Sequence, residues 1–266
     1  MTPADHLAAA QRLDEAERMR RQIRMISLDH AEMTAADAYA VQDAWLNIKL
    51  SRGRRIVGHK IGLTSKAMQQ AVGIKQPDSG FLLDDMLFED GGVVACDRFI
   101  GLRIEAELAF VLKAPLHGKG LTIADVFAAT DYVSPALEIL DTRIFRVDPE
   151  TQRTRTVLDT ISDNAANAGI VMSRHKIKAE AADLAWIGAV VAKNGEIEET
   201  GLAAGVLGHP AHGVIWLAAR FAERGRRLGA GDIVLAGSFI RPIEVGRADR
   251  IVADYGPHGR VAIAFA

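Results

Sequence analysis

Two glutamates inside an apolar strand constrain the folding of this chain more than any other feature. Residues 98–113 read RFIGLRIEAELAFVLK, a run rich in β-forming and apolar residues that predicts a buried strand. Residues two apart on a strand point to the same face, so Arg103, Glu105 and Glu107 share one side. Neighbouring carboxylates repel each other, and burying them without compensation is costly. The fold must therefore bring either solvent or a counter-charge to this face.

Two interpretations of the paired glutamates are open. In one, the face is solvated and Glu105 and Glu107 pair with Arg103, as antiparallel sheets with one wet face allow. In the other, a divalent cation with oxygen ligands removes the repulsion, and these residue types favour Mg²⁺ or Mn²⁺ over zinc. A further acid, Glu138, lies in the mainly apolar segment PALEILD. Three acids in two apolar strands favour a site for a hard cation.

Lys60 raises a similar question in the segment VGHKIGLTS. A lone lysine in an apolar strand usually extends to solvent. Alternatively, it projects into the acidic site, where a nearby cation and burial disfavour its charged form and make it a usable acid or base. His59 points to the opposite face and is interpreted as structural. His209 and His212 in GHPAHG are interpreted as part of a helix start that contains a proline, and not as metal ligands.

The composition excludes several classes of function. The 266 residues contain 32 Lys and Arg against 34 Asp and Glu, a net charge of −2, so we expect neither a nucleic-acid nor a membrane partner. There is no apolar run of bilayer length and no signal-peptide pattern. The single cysteine, Cys96, fits a reducing cytoplasm. Glycine-rich nucleotide-binding motifs and the GxSxG motif of serine hydrolases are absent from the sequence.

The order of predicted elements indicates an α+β protein. Apolar residues recur at helical spacing in residues 4–24, and Thr34 is a good N-cap for a helix that ends before Gly53. We therefore predict an N-terminal helical extension over residues 1–53 and a β-rich catalytic domain over residues 54–266. Within that domain we expect strands at 54–64, 98–113 and 131–141, helices at 121–130 and 210–225, a hairpin turn at Asn194-Gly195 and four short C-terminal strands.

Several of these segments resemble the hydratase/decarboxylase branch of the fumarylacetoacetate hydrolase superfamily. The resemblance covers essentially the whole chain and includes GHKIGLTSKAMQ, PDSGFLLDDM, DRFIGLRIEAELAFVL, ATDYVSPALEILDTR, VDPETQR, DTISDNAANAG and GSFIRPIE. The E-x-E pair with a later acid is the superfamily's signature. One departure is the segment 71–80, AVGIKQPDSG, which is shorter than the family's usual loop.

The resemblance implies a mixed, rolled β-sheet core and an Mg²⁺-dependent hydratase, with Mn²⁺ as a possible substitute. The expected substrate is a dicarboxylate of aromatic meta-cleavage degradation, 2-oxohept-4-ene-1,7-dioate or its 2-hydroxydienoate tautomer. A decarboxylase of the same branch and a non-catalytic partner subunit are the alternatives, and a homo-oligomer is expected. The implied site residues are Glu105, Glu107 and Glu138 for the metal, Lys60 and Asp78 for catalysis, Ser162 for the pocket, and Arg103, Arg143 or Arg241 for the distal carboxylate.

Overall fold

The computed structural model describes residues 1–71, 74 and 76–266. Residues 72, 73 and 75, which belong to the segment expected to be short, lie outside the described residues. Seven α-helices occur in the described chain: α1 (Pro3–Met19), α2 (Ile26–Asp29), α3 (Ala35–Ser51), α4 (Lys66–Ala71), α5 (Ile123–Ala129), α6 (Val157–Ser162) and α7 (Pro210–Ala222).

Local hydrogen bonds define the ends of the N-terminal helices. Thr34 accepts a hydrogen bond from the backbone N–H of Asp37 and so caps α3, as the sequence predicts. The prediction that the first helix extends to residue 24 is wrong, because α1 ends at Met19. The next residue, Arg20, adopts a left-handed conformation with φ 52°, and its N–H bonds back to the helix. The chain then runs on to Ile23, whose N–H donates to the carbonyl of Arg143 at 2.8 Å.

The N-terminal helices pack on the β-rich part through a shared hydrophobic cluster. Leu13 of α1 and Trp45 of α3 are buried in the same cluster as Leu82, Leu83 and Ile170, which lie on strands. These apolar contacts attach the helical segment to the sheet, since burial of large side chains is the main favourable term in folding. The division at residue 53 stays a prediction about chain organisation.

Strands make up most of the remaining chain. Eight of them form one mixed sheet in the order β2-β1-β10-β5-β6-β7-β3, with β11 paired to β5, and five form a second sheet in the order β4-β13-β12-β8-β9. The strands are β1 (Ile56–Gly62), β2 (Asp78–Leu83), β3 (Leu87–Phe88), β4 (Val93–Val94), β5 (Arg103–Leu112), β6 (Thr130–Leu140), β7 (Asn167–Met172), β8 (Gly188–Lys193), β9 (Glu196–Leu202), β10 (Ile233–Leu235), β11 (Ile243–Glu244), β12 (Arg250–Asp254) and β13 (Arg260–Phe265).

The two sheets share a hydrophobic core. Ile104 and Leu137 of the large sheet belong to the same buried cluster as Ile251 and Ile263 of the small one. The predicted hairpin is confirmed: Asn194 and Gly195 have φ of 56° and 90° and connect β8 to β9. The predicted α+β class and mixed, curled sheet are confirmed as well. In the part of the chain that the structure describes, no helix is both long and apolar enough to span a membrane.

Candidate metal centre and active site

The pairing of β5 with β6 brings the three predicted metal ligands together. In this antiparallel register, Glu105 lies directly opposite Glu138, and Glu107 lies opposite Ala136. One carboxylate oxygen from each glutamate lies within 4.8 Å of the other two. The side chains of Glu107 and Glu138 are completely buried, whereas Glu105 is partly exposed. The interpretation of a fully solvated face is therefore wrong for this strand.

The oxygens of these carboxylates have fewer partners than buried charges require. The backbone N–H of Gly237 donates to Glu107 Oε2 at 2.8 Å. Among the described residues, Glu107 Oε1 and both carboxylate oxygens of Glu138 are buried without a hydrogen-bond partner. The charge of Arg103 lowers the pKa of Glu105 only in part, and the guanidinium itself pairs with Glu244 at 2.7 Å. A set of unsatisfied carboxylate oxygens at this spacing fits a hard divalent cation.

Electrostatics at the three glutamates lead to the same conclusion. Burial and the charge of Glu138 raise the pKa of Glu105 to about 8. Burial also raises the pKa values of Glu107 and Glu138 above the ordinary value for glutamate. Without a cation, these carboxyls therefore hold their protons to a higher pH than an isolated glutamate does. A divalent cation would replace those protons and stabilise the charged forms.

Lys60 lies beside the metal centre and does not extend to solvent. Its side chain is buried, and its Nζ donates to the carbonyl of Ala165 at 2.9 Å and lies 3.3 Å from Glu138 Oε1. Burial opposes its charge, but the carboxylates of Glu138 and Asp78 outweigh that effect and raise the pKa of Lys60. The ammonium form is therefore the stable one beside Glu138 and Asp78, and a cation at the three glutamates would weaken this support.

Asp78 lies next to Lys60, at the first residue of β2. It pairs with Gly62 across the antiparallel β1–β2 ladder. A Cβ built on Gly62 would collide with Asp78 Oδ1 and lie 3.1 Å from Lys60 Nζ, so glycine leaves the space in which the two charged groups approach. Burial raises the pKa of Asp78, and its Oδ1 has no hydrogen-bond partner within the described chain. Asp78 therefore has the properties of a proton acceptor beside a proton donor.

A left-handed turn supplies the carbonyl that receives the Lys60 hydrogen bond. Asn164, Ala165 and Ala166 have φ of 53°, 49° and 62°, a conformation that costs roughly 1–2 kcal/mol per L-residue. The side chain of Asn164 stabilises the turn, since its Oδ1 accepts from the N–H of Phe81 at 2.7 Å and its Nδ2 donates to the Phe81 carbonyl at 3.0 Å. The turn thereby ties SDNAANAG to the strand that contains Asp78.

Ser162 precedes this turn at the end of α6. It is buried, and its hydroxyl donates to the carbonyl of Leu158 within its own helix at 2.8 Å.

His209, the N-cap of α7, accepts from the N–H of Ala211 at 3.1 Å, which confirms that GHPAHG begins a helix. The three glutamates are the one group of possible metal ligands found among the described residues.

The three arginines proposed for a distal carboxylate occupy different environments. Arg143 is buried and pairs with Asp163, and its Nη2 also donates to the Asp163 carbonyl at 2.9 Å. Arg241 is 83% exposed and pairs with Glu199 at 2.7 Å. Arg103 is 30% exposed, and its partner, Glu244, is itself 78% exposed. Of the three, Arg103 lies nearest in sequence to the metal ligands and has the partner that is most easily exchanged.

Sequence reasoning missed Arg155, which lies one residue before the N-cap of α6. Its Nη1 is buried with no hydrogen-bond partner in the described chain. Burial lowers its pKa, the charge of Arg103 adds to that effect, and the positive charge of Arg155 in turn lowers the pKa of Asp78. Arg155 is therefore a partly buried guanidinium near both Asp78 and Arg103. The polar segment TQRTRT gave no signal of this, because arginines in such segments are usually solvated.

The fold is shared with a solved structure of low sequence identity. A fumarylacetoacetate hydrolase from Exiguobacterium antarcticum has a TM-score of 0.56 at 14% identity over 79% of this chain and 74% of that chain. No protein-family model matches the sequence. This likeness shows the fold alone.

Relatives of higher sequence identity show the family to which the chain belongs. It is 56% identical to the 2-oxo-hept-4-ene-1,7-dioate hydratase of Escherichia coli over 98% of this chain and 97% of the relative. The 4-oxalocrotonate decarboxylase from Pseudomonas putida G7, complexed with magnesium and adipate, is 38% identical with a TM-score of 0.94, over 100% of this chain and 99% of that chain. A second structure of that decarboxylase contains calcium and acetate. The chain belongs to the hydratase/decarboxylase branch of the fumarylacetoacetate hydrolase superfamily.

Proposed function

We propose that this protein is a metal-dependent hydro-lyase that adds water to 2-oxohept-4-ene-1,7-dioate in the degradation of meta-cleaved aromatic compounds. The observation that carries the proposal is the group of three converging glutamates with unsatisfied buried oxygens beside Lys60. The full-length identity of 56% to a hydratase that acts on this dioate, against 38% to the decarboxylase, supports hydration over decarboxylation.

Glu105, Glu107 and Glu138 hold a divalent cation, which we propose to be Mg²⁺. Carboxylate oxygens are the ligands that Mg²⁺ and Mn²⁺ prefer. When bound, the cation supplies Lewis-acid stabilisation for a substrate carboxylate and the adjacent 2-oxo oxygen. The N–H of Gly237 holds the Glu107 carboxylate in place, so that the ligand does not have to be ordered when the cation arrives.

Asp78 and Lys60 move the protons of the hydration step. The 2-hydroxydienoate tautomer first ketonises: it takes up a proton at C5 and loses the 2-hydroxyl proton, which leaves an alkene between C3 and C4 that is conjugated with the 2-oxo group. Asp78 accepts a proton from the water molecule as the water oxygen forms a bond to C4. The electron pair of the alkene moves onto the 2-oxo group as an enolate, and Lys60 then returns a proton to C3, so atoms and charge balance. The raised pKa of Asp78 makes it a stronger base. The raised pKa of Lys60 keeps it protonated but makes it a weaker acid, so a cation at the glutamates, which would lower that pKa, favours the transfer.

The distal carboxylate binds to guanidinium groups at the edge of the site. Arg155 has an unsatisfied buried Nη1, and Arg103 can exchange the exposed Glu244 for substrate. A guanidinium pairs with a carboxylate through two parallel hydrogen bonds, which fixes the orientation of the chain between the two ends of a dioate. Ser162, Arg143 and Arg241 remain predicted pocket residues with the structural contacts described above.

Two properties of the whole protein remain proposals. We propose that it forms a homo-oligomer, because Leu7, Met19 and Leu50 of its N-terminal helices stay exposed and could pack against a second copy. We also propose a cytoplasmic location, since one cysteine, Cys96, fits a reducing compartment and no disulfide is needed.

Product analysis tests the reaction directly. With Mg²⁺ and enzymatically generated 2-hydroxyhepta-2,4-diene-1,7-dioate, we expect a 4-hydroxy-2-oxo dioate with the mass of one added water and both carboxylates intact. Stoichiometric release of CO₂ without hydrated product would establish the decarboxylase instead, and no turnover would favour the non-catalytic partner. The analogue that lacks the distal carboxylate should react with kcat/KM lower by roughly 10- to 150-fold, as expected for one charge-assisted contact.

A further inference from the structure

A small recess lies behind the strands that contain Lys60 and Asp78. Successive residues of a strand point to opposite faces, so His59 points away from the metal centre, where Lys60 is found. The recess is bounded by His59, by Tyr39 of α3 and by the C-terminal end of α7. Its enclosed part has room for about one water molecule, and the rest of its space is open to solvent at the mouth. A small group would therefore bind at the mouth, with at most one atom directed into the recess.

Three arginines surround the mouth of this recess, and aromatic rings hold their guanidinium groups. Arg224 and Arg220 lie over the ring of Tyr39, at 4.3 and 4.9 Å from its centroid. Arg226 lies 4.9 Å from the ring of Phe81 and 5.0 Å from that of Phe221. Stacking restricts these long side chains before any ligand binds, which lowers the entropic cost of ligand binding.

Acidic residues compensate this positive charge only in part. Arg226 pairs with Asp43 at 3.2 Å. Glu223 is 4.0 Å from Arg220 but lies closer to Lys119, at 3.1 Å.

Within the described chain, the guanidinium groups of Arg224 and Arg220 each lack an acidic or hydrogen-bonding partner. Among the described residues, Arg224 has no acidic side chain within 4 Å, and Arg220 Nε is buried without a hydrogen-bond partner. Burial and the charge of Arg220 lower the pKa of Arg224, as expected where like charges converge. The arrangement favours an added negative charge.

His59 forms the buried side of the recess. It is 4% exposed and packs edge-on against Phe221, with ring centroids 4.8 Å apart. Its Nε2 lies 3.7 Å from Asp232 Oδ2, and its Nδ1 is buried with no hydrogen-bond partner in the described part of the chain. An unsatisfied polar atom of this kind is uncommon in folded proteins and marks a place where a ligand or water completes the contacts.

We propose that the mouth of this recess is a binding site for a small oxyanion, a phosphate or carboxylate group held by Arg220, Arg224 and Arg226. Guanidinium groups match the geometry of both oxyanions and bind them through paired charge-assisted hydrogen bonds. The site is separate from the metal centre and does not depend on the proposed reaction. Gln42, which also lines the recess, donates to the carbonyls of Ser79 and Ile161 and so links the site to β2 and α6.

Calorimetric titration of the Mg²⁺-loaded protein with sodium phosphate, and separately with sodium succinate, at constant ionic strength tests this site. We expect saturable binding of at least one anion with a dissociation constant of about 1 mM or lower. Arg224→Gln should weaken that binding by roughly tenfold or more, since it removes one charge-assisted pair at an exposed position. Arg227→Gln removes the same charge one residue beyond Arg226, outside the recess, and should change the dissociation constant by less than about threefold.

Three results would overturn the proposal. One is binding that Arg224→Gln leaves unchanged, which would place the anion elsewhere, for example at the metal centre. Another is the absence of saturable binding of both anions up to ~10 mM, an upper limit that corresponds to very weak association. The third is a change in oligomeric state caused by Arg224→Gln in sedimentation experiments without added anion, which would show that a carboxylate of a second copy occupies the recess.

Discussion

The raised pKa of Glu105 predicts an unusual dependence of stability on pH in the metal-free protein. The pKa is about 8 in the folded state, against 4.5 for an ordinary glutamate, so the folded protein binds a proton that the unfolded chain releases. The stabilising contribution is fully present below about pH 4.5 and is lost as the pH rises towards 8. At pH 7 the loss amounts to about 3 kcal/mol. Glu105→Gln should remove this contribution.

Urea unfolding with EDTA, at several pH values from 5 to 8, measures the effect as the difference between the parent and Glu105→Gln. The difference is needed because burial lowers the pKa of His59 to about 3, which makes stability rise with pH up to its ordinary value of 6.5. Glu196→Gln, at an exposed position, serves as the matched control. Excess Mg²⁺ should abolish the Glu105 dependence in the parent, because the cation replaces the proton. Equal pH slopes in the parent and Glu105→Gln would refute the reasoning.

Three further predictions concern the same site. Glu107→Gln should remove Mg²⁺ binding in calorimetry while circular dichroism shows an intact fold, and wild-type affinity would contradict the metal assignment. Lys60→Met should lower kcat by about 100-fold or more with little change in metal affinity. Near-normal turnover would show that Lys60 moves no proton. Gly237→Ala should weaken Mg²⁺ binding, because φ is 121° there and a Cβ would collide with Thr64. The collision would displace the backbone N–H that holds Glu107. Unchanged Mg²⁺ affinity in calorimetry would show that this hydrogen bond is dispensable.

The sequence alone was sufficient to predict the two strands at the centre of the site, although not their pairing. An apolar run with Glu105 and Glu107 two residues apart defines both the strand and the face on which the acids lie. It could also predict the start of α3 at Thr34 and the Asn194-Gly195 turn, because capping and tight turns depend on a few neighbouring residues. These features are local, or depend on the two-residue period of a strand.

Contacts between distant segments could not be predicted in the same way. The side chain of Arg143 is paired to Asp163, and that of Arg241 to Glu199, and nothing in the flanking residues indicates either pair. The unsatisfied Nη1 of Arg155 likewise results from tertiary packing. The left-handed turn at Ala165 is unfavourable for its own sequence and is maintained by contacts with β2, so local propensity predicts a plain loop there.

The two-residue alternation along β1 has a consequence for insertions and deletions. Lys60 faces the carboxylates and His59 faces the recess. The gain of one residue earlier in the strand would put the imidazole of His59 beside Glu138, and the loss of one residue would put Ile61 there. A change of length within β5 would likewise turn its glutamates into the apolar core. Alignments of active relatives should therefore contain no gaps inside Ile56–Gly62 or Arg103–Leu112, and differences in length should occur in the connecting loops.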